Sequence, residues 1–166
     1  IAKECPWAAN GHGRKHRAPN VITSLELEST KMELKNQHLQ QKYQTIRENE
    51  VRYETRNVED VDYVIVAFGS AARISQKAME MARSKGMKVG LFRPITLWPF
   101  PEKEIKELAG KVKGILVMEI NAGQMIADVK LAVEGKVPVT HYGRLGGIVP
   151  DPDEIIGALE ELRKLC

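Results

Sequence analysis

An α/β fold with a largely parallel sheet and helices on both faces is the class this sequence predicts, and three observations point to it. Short apolar runs recur along the second half of the chain; each is followed by a stretch with helical spacing of its apolar residues; and Gly, Ser, Pro or Asn stands at the junctions. The first run, Val61 to Phe68, is apolar on both faces, as a central strand is. Gly69 and Ser70 break it, with Ser70 placed as an N-cap, and Ile74, Ala78, Met79 and Ala82 carry a helix to the stop signal at Gly86. The unit then repeats. Lys88 to Phe92 is a strand, a proline loop follows, and a helix runs from Pro101 to Ala109. Gly114 to Ile120 and a helix from Gln124 to Val133 come next, then Val137 to Tyr142 and a last helix from Pro152 to Leu165.

Ahead of these units the pattern differs. Residues Ile1 to Asn20 are rich in Gly, Pro, Asn and basic side chains without a period, which marks a linker. From Ser24 to Glu50 the chain lacks Gly and Pro, and Leu25, Met32, Leu39 and Ile46 recur every seven residues with Tyr43 one turn away. So thin a stripe suits a helix lying on a surface, or less readily a free coiled coil. Val51 to Thr55 alternates as a half-exposed edge strand does. The expected organisation is therefore a linker and amphipathic helix over 1–50 and one globular domain over 51–166.

Composition narrows the function. With 43% hydrophobic and 28% charged residues and no apolar run near the roughly 20 residues that cross a bilayer, no membrane span is expected. A formal charge of +3 leaves only Arg14-Lys15-His16-Arg17 as a basic cluster, too little to indicate nucleic acid. Cys5 and Cys166 lie at opposite ends without a CxxC spacing or a secretory signal, which fits a cytoplasmic protein rather than a disulfide scaffold. The chain opens on Ile1 inside a loop-like stretch, and is expected to be a piece of something longer.

Chemistry is sparse. Ligands of an open parallel sheet bind beyond the carboxyl ends of its strands, here Gly69-Ser70, the proline loop, Asn121 to Gln124 and Gly143 to Gly147. The first turn has neither GxGxxG nor a P-loop. His12, His16 and His38 lie in linker or polar helix, while His141, late in a strand, suits packing better than catalysis. There is no paired carboxylate and no metal-spaced His/Cys set. The proline loop, Arg93 to Pro101, places Leu97, Trp98, Pro99 and Phe100 where a rigid apolar surface either meets another domain or caps the protein's own core. Its prolines should keep it from extending the strand. Asn121 and Gln124 either grip a partner's backbone or serve as helix cap and helix surface. On chemistry alone the chain is a binding or assembly domain.

A family likeness rests on these same residues. Val61 to Gly69, Arg73-Ile74-Ser75, Lys88 to Pro101 with its Leu-Trp-Pro-Phe-Pro, Glu119-Ile120-Asn121-Ala122-Gly123-Gln124-Met125 and Gly143-Arg144-Leu145-Gly146-Gly147 closely resemble the C-terminal domain of the thiamine-diphosphate-dependent 2-oxoacid:ferredoxin oxidoreductases. Cys5-Pro6-Trp7-Ala8, Asn36 to Tyr43 and Glu50 to Glu54 are similar to the subunits acting on branched-chain 2-oxoacids, 2-oxoisovalerate among them. The resemblance implies a three-layer α/β/α domain like the transketolase C-terminal domain, with a five-stranded, mostly parallel sheet, one antiparallel edge strand (51–55) and a long surface helix in front. It also implies a role in oxidative decarboxylation of a 2-oxoacid to acyl-CoA, carbon dioxide and reduced ferredoxin. The implied parent complex holds thiamine diphosphate, Mg and iron–sulfur clusters, but this chain has neither the family's GDG segment nor its Cys motifs and should bind none of them alone. Implied partners are the other oxidoreductase subunits, with ferredoxin and coenzyme A met through the complex, and a homodimer is open. Leu97, Trp98, Pro99, Phe100, Asn121, Gln124 and Arg144 are the expected interface. A 2-oxoglutarate enzyme and a non-catalytic assembly module are the alternatives.

Overall fold

A computed structural model describes residues 23–166. Cys5, His12, His16, the Arg14 to Arg17 cluster and the whole of the expected linker, Ile1 to Asn20, lie outside them. The chain divides into two compact units between Lys42 and Tyr43, inside its first helix.

That helix, α1 (Ser29–Asn49), starts later than Ser24. Residues 24–28 stay outside because local side-chain bonds compete with helix formation: Leu25 N–H donates to Thr23 Oγ1 and Glu28 N–H to Glu26 Oε1. No residue of α1 is buried. Met32, Leu39 and Ile46 of the stripe are half-exposed, and Leu25 precedes the helix.

The second unit is the α/β domain. Its strands are β1 (Tyr53–Arg56), β2 (Tyr63–Ala67), β3 (Val89–Pro94), β4 (Gly114–Glu119) and β5 (Val139–Gly143), in spatial order β1-β3-β2-β4-β5. All neighbours are parallel except β1 and β3. The helices are α2 (Gly69–Ser84), α3 (Glu102–Ala109), α4 (Met125–Val133) and α5 (Pro152–Arg163). The expected architecture, antiparallel edge included, is the one observed.

Two-residue alternation sorts the core into two layers. Tyr63, Ile65, Ala67, Leu116 and Met118 face α2 and α5, while Val64, Val66, Ile115 and Val117 face α3 and α4. Val64, Ile65, Val66 and Ala67 are wholly buried, each of the larger ones contributing about 1.5–3 kcal/mol by leaving water. Both β2 and β4 are buried along their full length.

Three local expectations are corrected. Ser70 does not cap α2: the helix begins at Gly69, whose φ of +56° lets the chain turn one residue earlier, and Phe68 occupies the cap position without a side-chain bond. Pro94 does extend β3. It stands opposite Tyr53, where the ladder asks nothing of its missing N–H, since the next bond runs from Ile95 N–H to Arg52 C=O at 2.9 Å. And β1 is exposed at every residue rather than on one face, although Tyr53 stacks on Phe92 with centroids 5.1 Å apart.

Candidate functional site

Four strands deliver four loops to the carboxyl rim. The proline loop is anchored where it leaves β3: Ile95 and Thr96 N–H both donate to Arg52 C=O, and Arg52 N–H donates to Thr96 Oγ1 at 3.0 Å. Its four candidate residues then separate by role. Pro99, after a cis Trp98–Pro99 bond, is buried, and Phe100 is half-buried against the α3/α4 layer. Leu97 and Trp98 remain 46% and 51% exposed. Trp98 meets Tyr43 edge to face, with centroids 5.5 Å apart, and helps line a groove of about 790 Å³ that includes Arg47, Glu48, Phe100, Lys103 and Asp128. Half the loop thus caps the domain's own core and half is left as surface. Ile95 adds a further exposed apolar side chain beside it.

The turn after β4 is organised by a residue outside the expected set. Glu119 ends the strand with no exposure, and its carboxylate accepts from Gln124 N–H (3.2 Å), Met125 N–H (2.9 Å) and Ile126 N–H (3.1 Å). It therefore satisfies the open N–H groups of α4 and meets the positive end of that helix dipole. Asn121 does not cap the helix. Its Oδ1 accepts from Gly123 N–H at 2.7 Å, closing a tight turn in which Gly123 has φ +102°. Gln124 precedes the first residue of α4, with an exposed side chain and no capping bond.

His141 lies in the middle of β5, next to this turn. Its Nε2 is 3.8 Å from Glu119 Oε1, too far for a hydrogen bond, and has no partner. The neighbouring Gly143 leaves no room for a side chain: a Cβ there would fall onto Asn121 C=O and 2.6 Å from His141 Cε1. Beyond it, Arg144 Nη1 pairs with Glu154 Oε1 at 3.2 Å. Glu154 in turn closes a capping box with Asp151 at the start of α5. The Asp151 backbone bond, then the Tyr142 hydroxyl, hold the Glu154 carboxyl below its ordinary pKa, while burial, then Glu154, push the Tyr142 phenol up. Arg144 is thus a brace between β5 and α5. The loop it opens exposes Leu145, Ile148 and Val149, the last two an apolar pair after Gly146-Gly147.

Among the described residues no group of three His, Cys, Asp or Glu side chains is arranged to hold a metal ion. The one buried carboxylate among the described residues, Glu119, is committed to α4. These residues do not fit a magnesium diphosphate. No described helix is long and apolar enough to cross a membrane.

The comparisons with known proteins agree with this architecture. Ketoisovalerate oxidoreductase subunit VorB of Methanothermobacter marburgensis is 40% identical over 156 residues, 94% of this chain and 44% of that protein. The 2-oxoglutarate synthase subunit KorA of the same organism is 37% identical over 101 residues, 61% of this chain and 27% of that protein. The chain spans less than half the length of either. Among solved structures, 2-oxoglutarate:ferredoxin oxidoreductase from Magnetococcus marinus superposes with a TM-score of 0.66 at 22% identity, over 82% of this chain and 24% of that one. A split-gene transketolase superposes at 0.58 with 17% identity, over 67% and 41%. Both bear on the fold. Residues 61–155, more than half of the chain, match the family described as pyruvate:ferredoxin oxidoreductase core domain II, and to that family this chain belongs.

Proposed function

We propose that this chain is the domain II portion of a branched-chain 2-oxoacid:ferredoxin oxidoreductase, working in a complex that converts 2-oxoisovalerate to acyl-CoA, carbon dioxide and reduced ferredoxin. The observation that carries the substrate choice is the reach of the ketoisovalerate oxidoreductase match, 94% of the chain against 61% for the 2-oxoglutarate synthase subunit of the same organism. In this reading residues 51–166 form the globular domain and 1–50 its linker and helix. The domain lacks catalytic groups of its own and acts by assembly, with thiamine diphosphate, Mg and iron–sulfur clusters held elsewhere in a cytoplasmic complex. The test is turnover by the purified complex containing this chain, followed by reduction of ferredoxin or methyl viologen with coenzyme A. Fastest reaction with 2-oxoisovalerate is expected. Preference for 2-oxoglutarate would move the chain to the sister enzyme, and no reaction with any 2-oxoacid, cofactors loaded, would leave an assembly module.

The interface proposed is the surface half of the proline loop, Leu97 and Trp98, with Gln124 beside the Asn121 turn. Pro99, Phe100, Asn121 and Arg144 hold those elements in place. Trp98→Ser is expected to weaken subunit association in the complex while moving the chain's melting temperature little, since it removes a half-exposed ring and one aromatic contact worth about 0.5–1.5 kcal/mol. Phe100→Ser should instead cost about 1–3 kcal/mol of domain stability. Equal destabilisation by both, with assembly intact, would place Trp98 in the core and end its interface role.

A further inference from the structure

On the opposite face of the sheet from the Trp98 groove, β1, β3 and the first half of α2 enclose a cavity of about 230 Å³. Ala72 and Leu91, both core residues, line its apolar part, and Arg56, Arg73, Arg93, Gln76 and Glu54 supply the rest. Three guanidinium groups thus share a small concavity with one carboxylate. Glu54 is already engaged, accepting from Arg93 Nη1 at 2.9 Å, and that bond holds the Arg93 head in place. Arg56 and Arg73 have no hydrogen-bond or ion-pair partner among the described residues. Gln76 spends its amide N–H on Glu80.

Nothing nearby on α2 offsets Arg73. The helix has no acidic residue in its first turn. Like charges gathered in a cleft raise the field there and oppose folding unless an anion neutralises them. Two uncompensated positive charges match a phosphate group, which carries about −1.5 to −2 at neutral pH, better than a single carboxylate. Guanidinium forks bind its oxygens two at a time. The cavity is smaller than the roughly 300 Å³ at which sites for whole ligands begin, so it admits one such group.

We propose that Arg56, Arg73 and Arg93 form a binding site for a phosphate group, supplied either as the free ion or as the end of a phosphomonoester. This goes beyond the oxidoreductase assignment and does not depend on it. The test is calorimetric titration of the full chain with inorganic phosphate and, separately, with glycerol phosphate. Saturable binding is expected, weakened about tenfold by Arg56→Gln and by Arg73→Gln, which each remove a charge-assisted contact. Both variants should melt within a few degrees of the parent chain, as both side chains are exposed. Tighter binding of glycerol phosphate identifies a phosphomonoester site, and equal or tighter binding of the inorganic ion identifies a free-phosphate site. Substituting Arg14, Lys15 and Arg17 together by Gln should leave the affinity unchanged. Absence of saturable binding, or binding that survives both arginine variants or disappears with the Arg14 cluster, overturns the site. So does loss of subunit association in Arg73→Gln with phosphate affinity intact, which would assign the arginines to a partner's carboxylate.

Discussion

Glu119→Ala is expected to destabilise the domain by about 3–5 kcal/mol, the largest effect of any single polar substitution here. The carboxylate has no exposure and is the acceptor for three consecutive N–H groups at the start of α4. A hydrogen bond to a charged group contributes about 1.5–3 kcal/mol, and a buried donor left without an acceptor costs about 1–3 kcal/mol. Water can reach Gln124, which is exposed, but Met125 is buried, so the losses are not fully recovered. At about 2–4 °C per kcal/mol for a chain of this size, the melting temperature should fall by roughly 6–20 °C. Glu119→Gln keeps the shape and one acceptor oxygen, and should lose about half as much. Chemical denaturation measures both, and amide exchange should locate the loosening in α4. A loss below about 1 kcal/mol for the alanine variant would mean that solvent replaces the carboxylate and that α4 needs no internal anion.

Gly143→Ala is the second large expected effect, about 2–4 kcal/mol, and its cause is steric. The added methyl would meet the Asn121 carbonyl and the His141 ring together, His141 Nε2 lying 3.0 Å from it. An overpacked site usually costs about 1–3 kcal/mol, and here one of the obstacles is backbone, which cannot rotate away. The Asn121 turn and the end of β5 would have to part, moving Gln124 and Arg144 on the rim. Loss of stability together with weaker subunit association is the expected result, read by denaturation and by size-exclusion of the complex. A stable variant with normal assembly would show that the two loops tolerate separation.

Both effects concern residues whose importance is invisible in their neighbourhood along the chain. Glu119 stands at the end of an apolar strand, where a carboxylate is ordinarily solvent-facing, and nothing within a few residues says that α4 will fold back above it. Asn121 is a conventional helix-capping type, yet the helix is capped from two residues earlier, because the carboxylate reaches all three N–H groups and the amide closes the Gly123 turn instead. Leu97, Trp98 and Phe100 are equivalent as apolar loop residues. Only packing divides them, sending Phe100 to the α3/α4 layer and leaving Trp98 against Tyr43.

Short-range periodicity along the chain is enough to specify the class of fold. The run of doubly apolar strands, the helical spacing after each, and the breaks at Gly69, Pro101 and Gly143 are sufficient for an α/β sheet with loops gathered on one rim. The motifs Leu-Trp-Pro-Phe-Pro and Asn-Ala-Gly-Gln carry the family as well. Tertiary structure decided the rest: that Pro94 ends a strand opposite Tyr53, that Glu119 holds α4, and that Arg56, Arg73 and Arg93, spread over three elements, line one cavity. The physical reason is common to all of these. Side-chain spacing along a strand or helix selects a face, whereas the identity of what lies against that face is set by which distant segments the sheet order brings together.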